Sequence, residues 1–298
     1  MRALLLMLLM LLCLAVPSPS WAWGFEAHRY IADQMIRLLP PELRPLFEKH
    51  RTLVVERSVD PDMWRTAGFE SEPPNHFLDL DHEAFGPYPH DGLPRDYATA
   101  VQKFGREFIH QQGLLPWRVQ EFYGHLQRSF EALKRRNPSP YTLDNIAYYS
   151  AILAHYVSDG HVPLHAVVNY DGQLTNQRGL HARWESDLFE QFRAGLSGTP
   201  APVRPVRDPR TFMFDVLLAS SRLVPDLLAA DKAAAAGREF YDEAYFAAFR
   251  QAQWPVLNQR ILDSTTAVAS VIVGAWEAAG RPAVPTEFPR TPRRVPRP

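Results

Sequence analysis

Four histidines, His155, His161, His165 and His181, crowd one stretch of this 298-residue chain, HYVSDGHVPLHAVVNYDGQLTNQRGLHARWE, threaded with Asp159 and Glu185. His155 and Asp159 are spaced i, i+4, and His181 and Glu185 repeat the spacing. On a helix such pairs share one face, with side chains about 5–6 Å apart. An imidazole nitrogen and a carboxylate oxygen on one face can close on a single divalent cation, and the nitrogen donors favour zinc over calcium or magnesium. Asp159 has two oxygens, enough to bridge two ions. One such pair alone is ordinarily a surface salt bridge or a hydrogen-bonded core histidine. Two pairs change that balance, because Pro163 must end the first helix and His165 follows at once, so a second ligand set starts where the first stops.

Several metal or phosphate chemistries are excluded by the same residues. No H-E-x-x-H of a zinc protease occurs, and the paired Glu-x-x-His of di-iron bundles is missing. His90-Asp91 has the dipeptide of an HD-type phosphohydrolase, yet it lies in Pro-Tyr-Pro-His-Asp-Gly, a turn where that chemistry needs helix.

The elements that must position these groups read as helices throughout. Apolar residues recur at three- and four-residue spacing over Ile31–Leu39, Val119–Leu133, Ile146–Val157, Phe212–Leu228 and Ile261–Trp276, and no stretch alternates as a strand would. Pro116, Tyr141-Thr142-Leu143-Asp144 and Asp208-Pro209 mark starts of the second, third and fourth. The expectation is an all-α protein, a single multi-helix bundle domain over 23–280 with a metal cluster in a cleft. Gly195 to Thr211 is the most loop-like internal segment and is too short to require a domain boundary.

Composition bounds the rest. A chain 46% hydrophobic and 22% charged, with formal net charge −1, is neither disordered nor a polytopic membrane protein. The near-zero charge also argues against long duplex DNA as a partner. Residues 1–22 read as a cleaved signal peptide, with Met1-Arg2, an apolar run from Ala3 to Val16 and a small-x-small site at Ser20 and Ala22. That apolar run is shorter than the ~20 residues of a spanning helix, so a secreted or periplasmic protein with no integral membrane span after processing is expected, as a monomer. The single cysteine, Cys13, lies in the leader, which leaves the processed chain without disulfides and makes bound metal the natural substitute. Residues 281–298, with six prolines and five arginines, are expected to form a disordered tail.

The histidine segment resembles the core of the zinc-dependent phospholipase C and single-strand-specific nuclease superfamily, whose members carry H-x-x-x-D-x(5)-H followed by H-x-x-x-(D/E). The matching positions are His155, Asp159, His165, His181 and Glu185. The family also begins, after signal removal, with a tryptophan that chelates metal through its own amine and carbonyl, and Trp23 falls at the predicted cleavage point, with His28 at the next ligand position. Ser58-Val59-Asp60-Pro61-Asp62-Met63-Trp64-Arg65 resembles the D-x-x-R segment, giving Asp62 as ligand with Asp60 as its rival, and Asn75-His76-Phe77-Leu78-Asp79 resembles the H-F-x-D segment, giving His76. The resemblance implies three zinc ions: one on Asp62, His76, His155 and Asp159, a second on His165, His181 and Glu185, a third on Trp23, His28 and Asp159. His161 is expected beside the ligands rather than among them, and His50, His82, His110 and His125 as surface or capping residues.

The implied activity is phosphodiester hydrolysis by a metal-activated water, with Asp62 as its hydrogen-bond acceptor or base and Arg65 holding phosphate oxygens or the leaving group. Substrate signals conflict. The tight Trp23 to His28 spacing resembles the nucleases, whereas Glu185 as last ligand resembles phospholipase C, so a phospholipid head group is slightly favoured and single-stranded nucleic acid or a 3′-nucleotide is the alternative. A nuclease needs aromatic platforms, for which Phe77, Tyr88, Trp117, Tyr148 and Tyr170 are candidates, while a lipase needs an exposed apolar rim. From another class, the chain is read as a zinc-binding protein without turnover.

Overall fold

A computed structural model describes residues 24–288. The leader expected over 1–22, the Trp23 ligand and the tail from 289 to 298 lie outside the described residues. Among the described residues the regular structure is helical, with no strand. In chain order the helices are α1 (Phe25–Leu38), α2 (Arg44–Lys49), α3 (Arg51–Arg57), α4 (Asp60–Thr66), α5 (Tyr97–Phe104), α6 (Arg106–Gln112), α7 (Leu115–Ala132), α8 (Thr142–Asp159), α9 (Leu180–Ala182), α10 (Leu188–Phe192), α11 (Pro209–Ser221), α12 (Val224–Ala235) and α13 (Glu243–Ala278). Two 3-10 turns, Pro73–His76 and Pro163–Ala166, and a π turn, Arg183–Asp187, complete the parts that matter for the site.

Helix α8 is the axis of the bundle, packed by α1, α3, α7 and α13. Its sequence explains the placement: a helix apolar on every side can be stable only when enclosed, and every residue from Ser150 to Asp159 is buried. Ile152, Leu153 and Val157 fill the surrounding core together with Ile31 and Met35 of α1, Leu126 and Phe130 of α7, and Val268 and Ile272 of α13. The last turn of α8 therefore ends deep inside the protein, and so do the polar side chains it carries.

The expected starts and stops are met with three differences. Pro116 sits in the first turn of α7 and the Asp208 carboxylate accepts from Thr211 N–H at the start of α11, whereas α8 begins without a side-chain cap. The stretch Phe212–Leu228 is two helices, because Pro225 takes a first-turn position in α12 and forces a new start. The final helix begins at Glu243, well before Ile261, and runs through Pro255. The short helices α2 to α6 carry too few turns for their periodicity to register in the sequence.

The segment between α10 and α11 is a strap. Val206 N–H donates to Ser270 O at 3.0 Å and Val206 O accepts from the Tyr123 hydroxyl at 3.1 Å. It crosses α13 at Gly274, where a Cβ would lie 1.9 Å from Val206 O; only glycine allows the crossing. The tail also differs from expectation over its first residues, which are laid on the bundle rather than free. Trp276 Nε1 donates to Pro282 O at 2.9 Å, Val284 and Phe288 pack on the core, and Glu287 pairs with Lys49. A few apolar anchors among the prolines suffice to hold an extended segment against a ready-made surface.

Candidate metal centre

Six separate chain segments converge at the buried end of α8. His155 and Asp159, one turn apart, face the same side, with His155 Nε2 3.3 Å from Asp159 Oδ2. α1 brings His28, whose ring stacks on that of His155 at 3.9 Å between centroids. α4 brings Asp62 in its first turn, fully buried, while Asp60 turns outward to Arg57 at 3.5 Å; the choice left open between the two aspartates falls to Asp62. The 3-10 turn after two prolines, Pro73–His76, brings His76. The second 3-10 turn brings His165 alongside it, where Leu78 N–H donates to His165 O at 2.9 Å and His165 Nδ1–H donates to His76 O at 2.6 Å. The π turn then presents Glu185 beside His181.

Three buried groups result, each with its ligand-type atoms mutually within 4.8 Å: His28, His155 and Asp159; Asp62, His76 and His155; His165, His181 and Glu185. These groups can hold metal ions. A tetrahedral ion with ~2.0–2.1 Å bonds to nitrogen and oxygen separates its ligand atoms by about 3.3–3.4 Å. Around His155 Nε2 the separations are 3.1 Å to His76 Nδ1 and 3.3 Å to Asp159 Oδ2, with 3.0 Å between the latter two and 3.9 Å from His76 Nδ1 to Asp62 Oδ1. In the other group they are 2.9 Å from His181 Nε2 to both His165 Nε2 and Glu185 Oε2, and 3.8 Å from His165 to Glu185. Asp159 divides its oxygens, Oδ2 toward His76 and His155 and Oδ1 toward His28 at 3.4 Å, as a bridging ligand must.

The hydrogen bonds around the centre fix the protonated nitrogen of three of the rings. His155 Nδ1–H donates to Ser58 O at 2.8 Å, as His165 Nδ1–H does to His76 O. Since Ser158 Oγ gives its proton to the carbonyls of Ala154 and His155, His28 Nδ1 must be the donor in its 2.9 Å contact with that oxygen. All three rings thus carry a proton on Nδ1 and turn Nε2 inward, and in the neutral ring that Nε2 carries the lone pair that binds metal. Burial agrees: it pushes the histidines 28, 76, 155 and 165 well below the usual imidazole range and His181 down to about 4. Burial pushes the carboxyls of Asp159 and Glu185 well up and that of Asp62 up to about 8, Arg65 opposing the rise in each case. Both oxygens of Asp62, both of Glu185 and one of Asp159 have no hydrogen-bond partner among the described residues. Three enclosed carboxylates with Arg65 as the near cation, 3.4 Å from Asp62 Oδ1, call for further positive charge.

The centre opens on a cavity of about 410 Å³ whose walls include Arg65, His76, His165, His181, Phe77, Asp79 and Tyr170. Of the aromatic candidates, Phe77 and Tyr170 line this cavity, whereas Trp117 lines a separate one with Tyr97, Tyr88 lies against Arg222 and Tyr148 borders Asp60. His161 is buried beside the ligands but in none of the three groups, its Nδ1 on Val157 O, and His82 caps a turn by accepting from Ala84 N–H. Gly24, next to Trp23, packs so closely on the π turn that a Cβ would lie 2.7 Å from Ser186 Oγ. Sequence reasoning missed the outer partners Ser158 and Glu72, and Asp79, whose Oδ1 is buried without a hydrogen-bond partner among the described residues and whose carboxyl burial raises to about 7. The one available signal for Asp79 was its place in the His76 segment. No family model matches the chain, and no curated protein matches it.

Proposed function

We propose that this protein is a zinc-dependent phosphodiester hydrolase. The observation that carries the reading is the convergence of five imidazoles and three carboxylates, each with at least one oxygen unpartnered among the described residues, at ligand separations suited to small tetrahedral ions, beside a cavity walled by three of those imidazoles and an arginine. Eight described side chains, His28, Asp62, His76, His155, Asp159, His165, His181 and Glu185, would hold up to three ions, with Trp23 expected to complete the group at His28. Bound zinc would supply positive charge at the phosphoryl oxygens and lower the pKa of water from 15.7 to about 7. His155 Nε2 stands in two of the groups and can serve one ion; assigned with Asp62 and His76, it leaves His28 and Asp159, with Trp23, for the third ion, so each ion would have three or four protein ligands and room for solvent and substrate, which disfavours a closed structural site.

The chain's own residues then have distinct tasks. Asp62 turns Oδ1 toward His76, and its second oxygen accepts a hydrogen bond from the attacking water. Arg65, about a quarter exposed at the cavity wall, presents its planar fork to phosphate oxygens, the geometry that suits a bidentate grip. Burial of the floor excludes bulk water and strengthens both contacts.

Phe77 and Tyr170 offer flat faces in the wall of the cavity, and Asp79 in the same wall offers a buried polar anchor. This favours a substrate with a planar base attached to its phosphate, a single-stranded nucleic acid or 3′-nucleotide. The phospholipid reading is supported by one feature, the exposure of Tyr170 and Leu174 on the loop that borders the cavity. Metal analysis with a panel of single-stranded RNA, 3′-nucleotide and phosphatidylcholine tests the proposal. Two to three equivalents of zinc with turnover of the nucleotide substrates is the expected result; turnover of phosphatidylcholine alone selects the lipid reading, zinc without turnover selects a binding protein, and fewer than two equivalents overturns the metal centre.

A further inference from the structure

An imidazole that binds metal aims a bare nitrogen inward, and its other nitrogen is as a rule held from outside. For His28, His155 and His165 the outer partner is neutral, a serine hydroxyl or a backbone carbonyl, and it is engaged through Nδ1. His76 is turned the other way. Its Nδ1 is the inward atom, 3.0 Å from Asp159 Oδ2 and 3.1 Å from His155 Nε2. Its Nε2, which makes no hydrogen bond among the described residues, lies 3.4 Å from Glu72 Oε1, close enough for a small rotation of either side chain to join them.

Glu72 is buried, with 5% of its side chain exposed, and it is held from several sides. The Tyr156 hydroxyl donates to Oε1 in a short hydrogen bond, Asn75 Nδ2 donates to Oε2 at 3.1 Å, and Arg118 Nη2 approaches Oε2 at 3.4 Å. Arg118 Nε also reaches the Tyr156 oxygen at 3.2 Å. A carboxylate this enclosed is costly to keep, and an amide or hydroxyl would satisfy Asn75 equally well. What a carboxylate adds is a charged acceptor for the outward proton of His76. Tyr156 follows His155 on α8, so the helix that supplies a ligand also clamps the acceptor that orients the neighbouring one.

We propose that Glu72 is a positioning residue: it accepts the Nε2 proton of His76, fixes Nδ1 as the ligating atom, and makes this imidazole the strongest electron donor of the set. The inference rests on the metal-centre reading above. It assigns Tyr156 and Arg118 the task of holding the carboxylate, and it separates the group of Asp62, His76 and His155 from that of His165, His181 and Glu185, where His165 is held by a backbone carbonyl and Asp171 accepts from the backbone N–H of His181.

Glu72→Gln keeps size and a neutral oxygen while removing the charge. Competition of a chromophoric chelator against the zinc-loaded protein is expected to show one class of site weakened about 10- to 100-fold, the class that disappears in His76→Ala, with the class that disappears in His181→Ala unchanged. Tyr156→Phe, which loosens the carboxylate without removing it, is expected to weaken the same class by less. Cobalt(II) in place of zinc gives a second readout, a shifted visible absorption confined to that class. Unchanged affinity and spectrum in Glu72→Gln overturn the proposal, and so does equal weakening of every class, the mark of a merely structural role. If Glu72→Gln does not fold, Tyr156→Phe decides by the same criteria. A wild-type protein that binds no zinc fails the metal-centre reading itself, an outcome distinct from a variant that matches a zinc-binding wild type.

Discussion

The pairs His155/Asp159 and His181/Glu185 share one spacing and one chemistry but stand on different backbones. The first lies in the last turn of α8, where every neighbouring residue on the helix is buried and His155 is held by the Ser58 carbonyl and the His28 ring. The second straddles α9 and a π turn, the kind of local widening that recurs at functional sites, and this pair needs braces. Asp171 accepts from the N–H groups of Gly179 and His181, and Arg183, inside the π turn, is locked to Asp231 at 3.0 Å, with Tyr245 donating to the same carboxylate at 2.6 Å. His181 also lines the cavity. The difference teaches that the deep pair is built for rigidity and the shallow pair for access, its geometry guaranteed by contacts outside the ligands.

The sharpest way to break the comparison is Asp159→Asn, which touches two of the three groups. Activity is expected to fall to background with the metal of both groups lost, measured by turnover and metal analysis; unchanged zinc and rate would refute the bridge. Next is Asp231→Ala, which strands a buried arginine and should cost about 3–5 kcal/mol by denaturant titration, with zinc affinity lost at the His165/His181/Glu185 group and kept at the deep one. Loss at both groups alike would erase the distinction drawn here. Metal removal comes third: each site at 100-fold its Kd adds about 2.7 kcal/mol, so chelation should lower Tm by roughly 5–10 °C per ion released in a domain of this size, and a chelator-insensitive Tm contradicts the centre. Phe77→Ala should cost about 1–3 kcal/mol in kcat/KM on a nucleotide substrate without changing metal content, and a lipid substrate would not show that loss.

The smallest effect is the pH dependence of the metal-free protein. Burial raises Asp62 from 3.8 to about 8, so between those values the unfolded chain has released a proton that the folded chain keeps. Its contribution is full below about pH 4 and lost as pH rises through about 8, by up to about 1.4 kcal/mol per unit. His181, depressed from 6.5 to about 4, runs oppositely, with its contribution present above pH 6.5 and lost as pH falls through about 4. The two oppose each other below pH 6.5; above it the histidine contribution is constant, and Asp62 acts in the same direction as the other carboxyls raised by burial, Asp79, Asp159 and Glu185. Stability without metal should therefore decline from pH 6.5 to 8, measured by denaturation midpoints, and zinc should abolish the decline.

Legibility in the sequence followed the same divide. The all-α architecture and the α8 pair could be read because a long helix repeats its periodicity over many turns. Helices α2 to α6 could not, since one or two turns set by prolines and tertiary contacts leave no repeat. The i, i+4 spacing of His181 and Glu185 was visible, but the π turn that carries it and the distant Asp231 that braces it were not, because nothing local marks a partner far along the chain. Asp62 was separable from Asp60 only once their opposite orientations on α4 were seen. Glu72 escaped for the same reason as Asp231: its role exists only through His76 and Tyr156.

The close approach of Gly24 to Ser186 has one more consequence. It seats the first described residue against the π turn, across most of the described chain, in a protein whose sole cysteine is at position 13. Joining segments so distant carries an entropic toll that grows with the logarithm of the intervening length. Cations gripped at once by His28, by α8 and by the turns beyond it would act as the clasp of that long loop, so loading with metal and closing the chain upon itself become a single event.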